Sequence, residues 1–169
     1  DADHIGIGNV DKFLPSCDFY TLDVADFIGK APTTSDLESF TRSSAKFKGN
    51  LQIRNASREF LVTDETIHAI GEKYLYAVQE AARIYQHIKK NKKNDEFIVE
   101  VSMDETDTPQ TPVELFFILL AIAQEGIPIQ TIAPKFSGKF LKGIDYIGNV
   151  QAFAQEFEED ILVISHAAS

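Results

Sequence analysis

A strand followed at once by a capped helix is the feature that most constrains this chain. Residues 96–106 run Glu-Phe-Ile-Val-Glu-Val-Ser-Met-Asp-Glu-Thr, a short stretch crowded with β-branched and aromatic residues. Side chains alternate between the two faces of a strand. Phe97, Val99, Val101 and Met103 therefore share one face, and Ile98, Glu100, Ser102 and Asp104 share the other. The first face is what a sheet packs against helices. The second puts a carboxylate in mid-strand, where burying an unpaired charge is costly. Glu100 thus belongs either to an edge strand with one wet face or to a working site. A polar run from Lys89 to Asp95 bounds the strand on one side and a Thr/Pro turn on the other. Thr111 and Glu114 then have the spacing of a capping box, with Pro112 at the first helical position. That helix runs through Leu115 to Ala123 and stops at Gly126.

Further units of this kind lie on either side. Residues 1–8 read as the exit of a strand, and Asn9 as the cap of a short helix ended by Pro15. Residues 19–24 form a compact strand with Asp23 near its end. Residues 64–90 are the strongest helix, with Ile67, Ile70, Tyr74, Val78, Ala81, Tyr85 and Ile88 on one face. Thr63 or Asp64 caps it, and the Lys89, Lys90, Lys92, Lys93 cluster at its other end reads as a solvated terminus. Residues 129–136 give another strand, followed by a glycine-punctuated loop holding Lys139, Lys142 and Asp145. Asn149 caps a last helix bearing Val150, Phe153 and Phe157. The apolar run 161–164 reads as a buried parallel strand that ends in Ser165-His166. Residues 25–63 are the least patterned part and read as an insertion gathered around Phe40, Phe47, Leu51 and Phe60.

Strands alternating with helices imply right-handed βαβ units and a parallel sheet. The strand count fits a flavodoxin-like doubly wound domain or half of a (β/α)8 barrel, which normally needs about 250 residues.

Composition narrows the function classes. The chain has 169 residues, 44% of them apolar, enough for a real core. A formal net charge of −10 argues against nucleic acid and against an anionic membrane surface as partners. The single Cys17 excludes an internal disulfide framework. No apolar run approaches the ~20 residues of a membrane span, and Asp1-Ala2-Asp3-His4 is no signal peptide. Asn55-Ala56-Ser57 is formally a glycosylation triplet but reads as chance without a secretory signal. A cytoplasmic setting is expected, and without an initiator Met a processed or excised chain.

The polar residues cluster by position. Asp3 and His4 follow one strand, Asp23 closes the next, Glu100 and Asp104 belong to the third, Lys135 to the fourth and His166 to the fifth. In parallel α/β folds the carboxyl ends of the strands converge on the face where sites form. Histidines and carboxylates there suit a divalent metal such as Zn²⁺, Mn²⁺ or Co²⁺. His68 and His87 ride the long helix and read as structural.

Four stretches together carry a resemblance. They are Asp1-Ala2-Asp3-His4, Thr21-Leu22-Asp23, the run from Glu100 to Pro109 (Glu-Val-Ser-Met-Asp-Glu-Thr-Asp-Thr-Pro) and Lys142-Gly143-Ile144-Asp145-Tyr146-Ile147-Gly148. In order and approximate spacing they resemble the bacterial tagaturonate epimerases along nearly the whole chain. Those enzymes are longer, so residues 1–169 resemble the central portion of one catalytic barrel domain, a partial (β/α)8 TIM-type barrel with the insertion at about 25–63. The resemblance implies an isomerase that interconverts D-tagaturonate and D-fructuronate in hexuronate catabolism, with a divalent cation (Zn, Mn, Co or Ni). By position it implies Asp3 as proton acceptor, Glu100 as proton donor, and His4 and His166 as metal ligands. The family's glycine-containing continuation after that histidine is here Ala167-Ala168-Ser169, and a third ligand is expected beyond it. Asp23, Asp104, Lys135 and Lys142 are weaker candidates for binding the small-molecule uronate.

The two uronates differ at a hydroxyl-bearing carbon β to the ketone, whose C–H that carbonyl does not acidify. Retro-aldol cleavage and reclosure on the opposite face is the expected route, with the metal as Lewis acid. Two rivals predict different behaviour. Another metal-dependent ketose isomerase or aldolase would prefer a different sugar, and a flavodoxin-like binding domain would be a stable monomer without metal dependence. Exposed sheet edges would favour self-association, so a homo-oligomer is among the outcomes.

Overall fold

The computed structural model describes residues 1–93 and 96–169. The polar run expected before the strand at residue 96 reaches residues 94 and 95, which lie outside the described residues. The elements, in order, are β1 (Ala2–Ile5), β2 (Phe19–Asp23), α1 (Thr34–Ser44), β3 (Gly49–Leu51), β4 (Phe60–Val62), α2 (Asp64–Asn91), β5 (Ile98–Ser102), α3 (Pro112–Gln124), β6 (Thr131–Ala133) and α4 (Val150–Ala167). Four strands form a parallel sheet in the order β1-β2-β5-β6, and β3 and β4 pair as a separate antiparallel hairpin. This is a mixed α/β fold. The order follows the sequence, whereas a flavodoxin-like sheet sets its first strand between the second and third. Here β1 is an edge.

The alternation read from the sequence sets the two faces. Tyr20, Leu22, Val99 and Val101 are fully buried on one face. Phe97 lies edge-on to Tyr20 and against Tyr85 of α2, which places α2 on that side. Thr63 caps α2 through the N–H of Thr66, and Thr111 and Glu114 form the expected capping box of α3. The insertion is ordered. Phe40 of α1 packs edge-on to Phe117, and Phe47 to Phe116 at 5.0 Å. Gly71 permits the approach of α1 to α2, since a Cβ there would stand 2.6 Å from Leu37 Cδ1 and 2.9 Å from Phe40 Cδ1.

Several expectations are corrected. The apolar run 161–164 is not a strand but the continuation of α4, which extends unbroken to Ala167. Short apolar runs suit either element. This one follows Val150 and Phe157 at helical spacing with no breaker between, so Val163 turns inward and Ile161 outward. His166 is therefore a helix residue, not a strand exit. The strand expected over 129–136 shrinks to β6, because Pro134 has no N–H to give the ladder. Lys135 thus lies beyond the strand, and Asp3 and His4 lie within β1 instead of after it. Asn9 caps no helix through its side chain; its Oδ1 accepts from the N–H of Gly6. Lys92 is also misread as solvated. Its side chain is 5% exposed, paired with Asp18 at 2.8 Å and donating to the Cys17 carbonyl at 2.7 Å.

Burial pushes the Asp160 carboxyl up to about 7, with Glu156 and Glu159 adding to the effect. Such a raised group contributes stability that is full below the unfolded value of 3.8 and lost as pH rises through about 7. Urea unfolding across that range is expected to show a decline on the order of 1 kcal/mol per pH unit. Asp160→Asn flattens the decline and is the more stable protein at pH 8.

Candidate active site

The open face of the sheet carries the polar residues, and a bulge in β1 organises them. Ala2 pairs with Tyr20 and Ile5 with Leu22, so three steps along β1 answer two along β2. One extra residue is absorbed there, and His4 takes it up at φ 50°. A left-handed conformation at a residue with a bulky side chain stores strain and is found where function over-determines the backbone. Because of the bulge, Ala2 and Ile5 both face the core while Asp3 and His4 both face out.

His4 then stands between two carboxylates. Its Nδ1 lies 3.3 Å from Asp23 Oδ2, and its Nε2 lies 3.6 Å from Asp3 Oδ1. The other Asp23 oxygen is fixed by the backbone N–H of Ala25 at 3.2 Å. Partial burial works against a charged ring. The hydrogen bond with Asp23 and the negative charges of Asp3, Asp23 and Glu105 outweigh it, and the His4 pKa is raised.

The second half of the site sits on the two central strands. Thr21 and Glu100 are direct neighbours in register, and the Thr21 hydroxyl donates to Glu100 Oε1 at 3.2 Å. Thr131 of β6 is the next residue in the same row. The bulge brings Asp3 to this level on β1, so Asp3 and Glu100 flank β2 at two strand spacings, about 10 Å. One row nearer the carboxyl ends, Asp23 is in register with Ser102, whose hydroxyl donates to Asp104 Oδ1 at 2.7 Å. Buried Gln110 ties the loops beyond β5 and β6 together. Its amide donates to the Met103 carbonyl, and its Oε1 accepts from the Lys135 N–H at 2.7 Å.

The structure therefore gathers Asp3, His4, Asp23, Glu100 and Asp104 on one face. It does not bring His166 to them. The His166 Nδ1 accepts from the backbone N–H of Arg54 at 3.4 Å, and its ring lies 5.8 Å from that of Phe116 in the helical layer. Lys135 is half-buried at the loop beyond β6, and Lys142 is exposed. Sequence reasoning assigned no role to Thr21, Ser102 or Gln110. The Thr21–Glu100 pair depends on strand register, which no local pattern displays. Among the described residues, no group of three His, Cys, Asp or Glu side chains is arranged to hold a metal ion. The donors near His4 are engaged as an ion-paired cluster, and they do not fit a metal centre by themselves.

The sequence model described as tagaturonate epimerase matches residues 1–167 of the chain. A tagaturonate/fructuronate epimerase of Thermotoga maritima is 26% identical over 174 residues, covering 94% of this chain and 34% of that protein. Two crystal structures of a fructuronate-tagaturonate epimerase from Cohnella laeviribosi share the fold. A one-glycerol complex has a TM-score of 0.76 at 22% identity, with 98% of this chain and 36% of that chain covered. The native form has a TM-score of 0.70 at the same identity, with 96% of this chain and 36% of that chain covered. The chain spans about a third of the length of these relatives.

The His4 cluster is open to measurement by histidine NMR in the metal-free protein. The His4 ring is expected to titrate above 6.5, and Asp23→Asn to bring the midpoint down. The favourable charge pairing is present below 6.5 and fades as pH rises through the raised midpoint.

Proposed function

Since the chain belongs to the tagaturonate epimerase family, we propose that it carries the acid–base half of a site interconverting D-tagaturonate and D-fructuronate. The single observation supporting this reading is the arrangement of two carboxylates, Asp3 and Glu100, on either side of one strand of the open face. A gap of about 10 Å between their strands leaves room for a sugar carbon to be approached from both sides.

In the proposed reaction Asp3 accepts the proton of the hydroxyl on the carbon β to the ketone. The bond between the α and β carbons breaks, its electron pair forms the enediolate, and the β carbon becomes an aldehyde. The aldehyde turns, the enediolate carbon attacks its opposite face, and Glu100 gives a proton to the new alkoxide. Solvent resets the two carboxyl groups. Proton transfers of this kind are worth about 10²–10⁴-fold each.

A divalent cation remains part of the proposal for an enzyme of the relatives' length, where it would add Lewis acidity. His4 is the donor this chain offers, and His166 would have to leave its place on α4 to join it. The barrel is proposed likewise. Four parallel strands in sequential order, with apolar residues toward the helices and polar residues on the other face, would make half of an eight-stranded one. The proposed partner is a uronate and the proposed setting cytoplasmic; among the described residues no helix is long and apolar enough to cross a membrane.

Conversion of tagaturonate to fructuronate by the protein, with Zn²⁺, Mn²⁺, Co²⁺ or Ni²⁺ supplied, tests the assignment. Glu100→Gln is expected to lower the rate by about 10²–10⁴-fold. A Glu100→Gln protein as fast as the parent would sink the role given to Glu100. Solvent deuterium appearing at the inverted carbon would count against the retro-aldol route.

A further inference from the structure

We propose that Thr21 is the positioning residue for Glu100, its buried hydroxyl holding Oε1 so that Oε2 is the oxygen that carries the proton. The inference rests on the reading of Glu100 as the proton donor and adds the group that aims it. Thr21 lies in the middle of β2, 7% exposed, directly beside Glu100 in the parallel register. Its hydroxyl donates to Glu100 Oε1 at 3.2 Å.

Folding alone gives no reason for a hydroxyl at this position. Valine has the same branched shape and an equal liking for strands, and the neighbours of Thr21 along β2 are the fully buried Tyr20 and Leu22. A hydroxyl there must be partnered, and its partner is Glu100. The donor is also stiff, because a β-branched side chain has few χ1 choices, whereas a glutamate has three torsions to settle. One fixed donor on Oε1 therefore restricts the carboxyl group and leaves Oε2 toward the open face. The same device recurs one row away, where the buried Ser102 hydroxyl holds Asp104 Oδ1 at 2.7 Å. Thr131, on the other side of Glu100, is exposed.

Thr21→Val and Thr21→Ser test this in the whole protein, with folding checked by circular dichroism. Thr21→Val is expected to lower kcat by about tenfold or more while KM stays within about twofold. Thr21→Ser, which keeps the donor, should restore most of the loss. A second readout needs no turnover. In carbon-13 NMR of labelled glutamate at fixed pH the Glu100 carboxyl signal should move in Thr21→Val, because Oε1 has lost its donor, and return in Thr21→Ser. An unmoved signal in Thr21→Val would overturn the proposal, as would a folded Thr21→Ser that behaves like Thr21→Val. Should Thr21→Val fail to fold, the carboxyl signal and kcat of Thr21→Ser set against Thr21→Ala decide. Failure of the functional reading looks different. Parent protein inactive on both uronates, or Glu100→Gln fully active, would reject that reading, while the carboxyl signal would still report on Thr21.

Discussion

The in-register parallel pairing of β2 with β5 is the constraint on which the rest depends. Five consecutive pairs, from Phe19–Ile98 to Asp23–Ser102, fix which side chains share a face. Leu22 and Val101 meet on the helix side, and Thr21 and Glu100 meet on the other. A slip of β5 by one residue would turn its set over, burying Glu100 against α2 and exposing Val101. The hydrophobic drive that seats Tyr20, Leu22, Val99 and Val101 therefore also sets the register of the carboxylates. Packing and chemistry here are two faces of one pairing.

The strand β1 obeys a different rule. With regular pairing in β1, Asp3 and His4 would point to opposite sides, and one of them would enter the core. The bulge avoids this by letting Ala2 and Ile5 both turn inward at the cost of a left-handed His4. Strain at His4 is offset by the contacts its ring makes with Asp23 and Asp3. Elsewhere the polar groups are tied by neutral hydroxyls and amides, as in Ser102–Asp104 and Gln110–Lys135. Charge is concentrated at the bulge, and orientation is handled on the central strands.

Legibility in the sequence followed the range of the forces involved. Both well-marked helices were readable to within a residue or two, because caps and helical periodicity are local. The faces of β5 were readable for the same reason. Asp3, His4, Asp23, Glu100 and Asp104 were nameable because carboxylates and histidines on or beside strands are visible in the chain, while the roles of Asp3 and Glu100 came with the family resemblance. Thr21 was not, since its partner lies 79 residues away and only register joins them. His166 was misplaced because Ile161–Leu162–Val163–Ile164 satisfies the pattern of a buried strand as well as that of a helix. What decides between them is the packing of α4 on α3, a tertiary fact. Within residues 25–63 the aromatics were visible but their partners were not, for Phe40 and Phe47 meet Phe117 and Phe116 far along the chain.

The charges of the open face bear on what a full site must contain. Asp3, Asp23, Asp104 and Glu105 lie on or near it, Glu100 is neutral in its proposed donor form, and His4 is the basic side chain set among them. A uronate brings one more negative charge, and the enediolate's charge takes the place of the one Asp3 gives up on accepting the proton. Like charges at such separations in a partly desolvated cleft repel strongly. The carboxylates around His4 raise its pKa and favour its charged form, which offsets part of this. Further positive charge at the face would ease binding of the proposed substrate, and the proposed divalent cation would be one source of it. Two of the carboxylates, Asp23 and Asp104, are already engaged, by His4 with the Ala25 N–H and by Ser102. Asp3, 71% exposed and, among the described residues, paired with His4 alone at 3.6 Å, is the freest to accept a proton. Engagement, more than identity, separates the carboxylates that can do chemistry from those that shape the site.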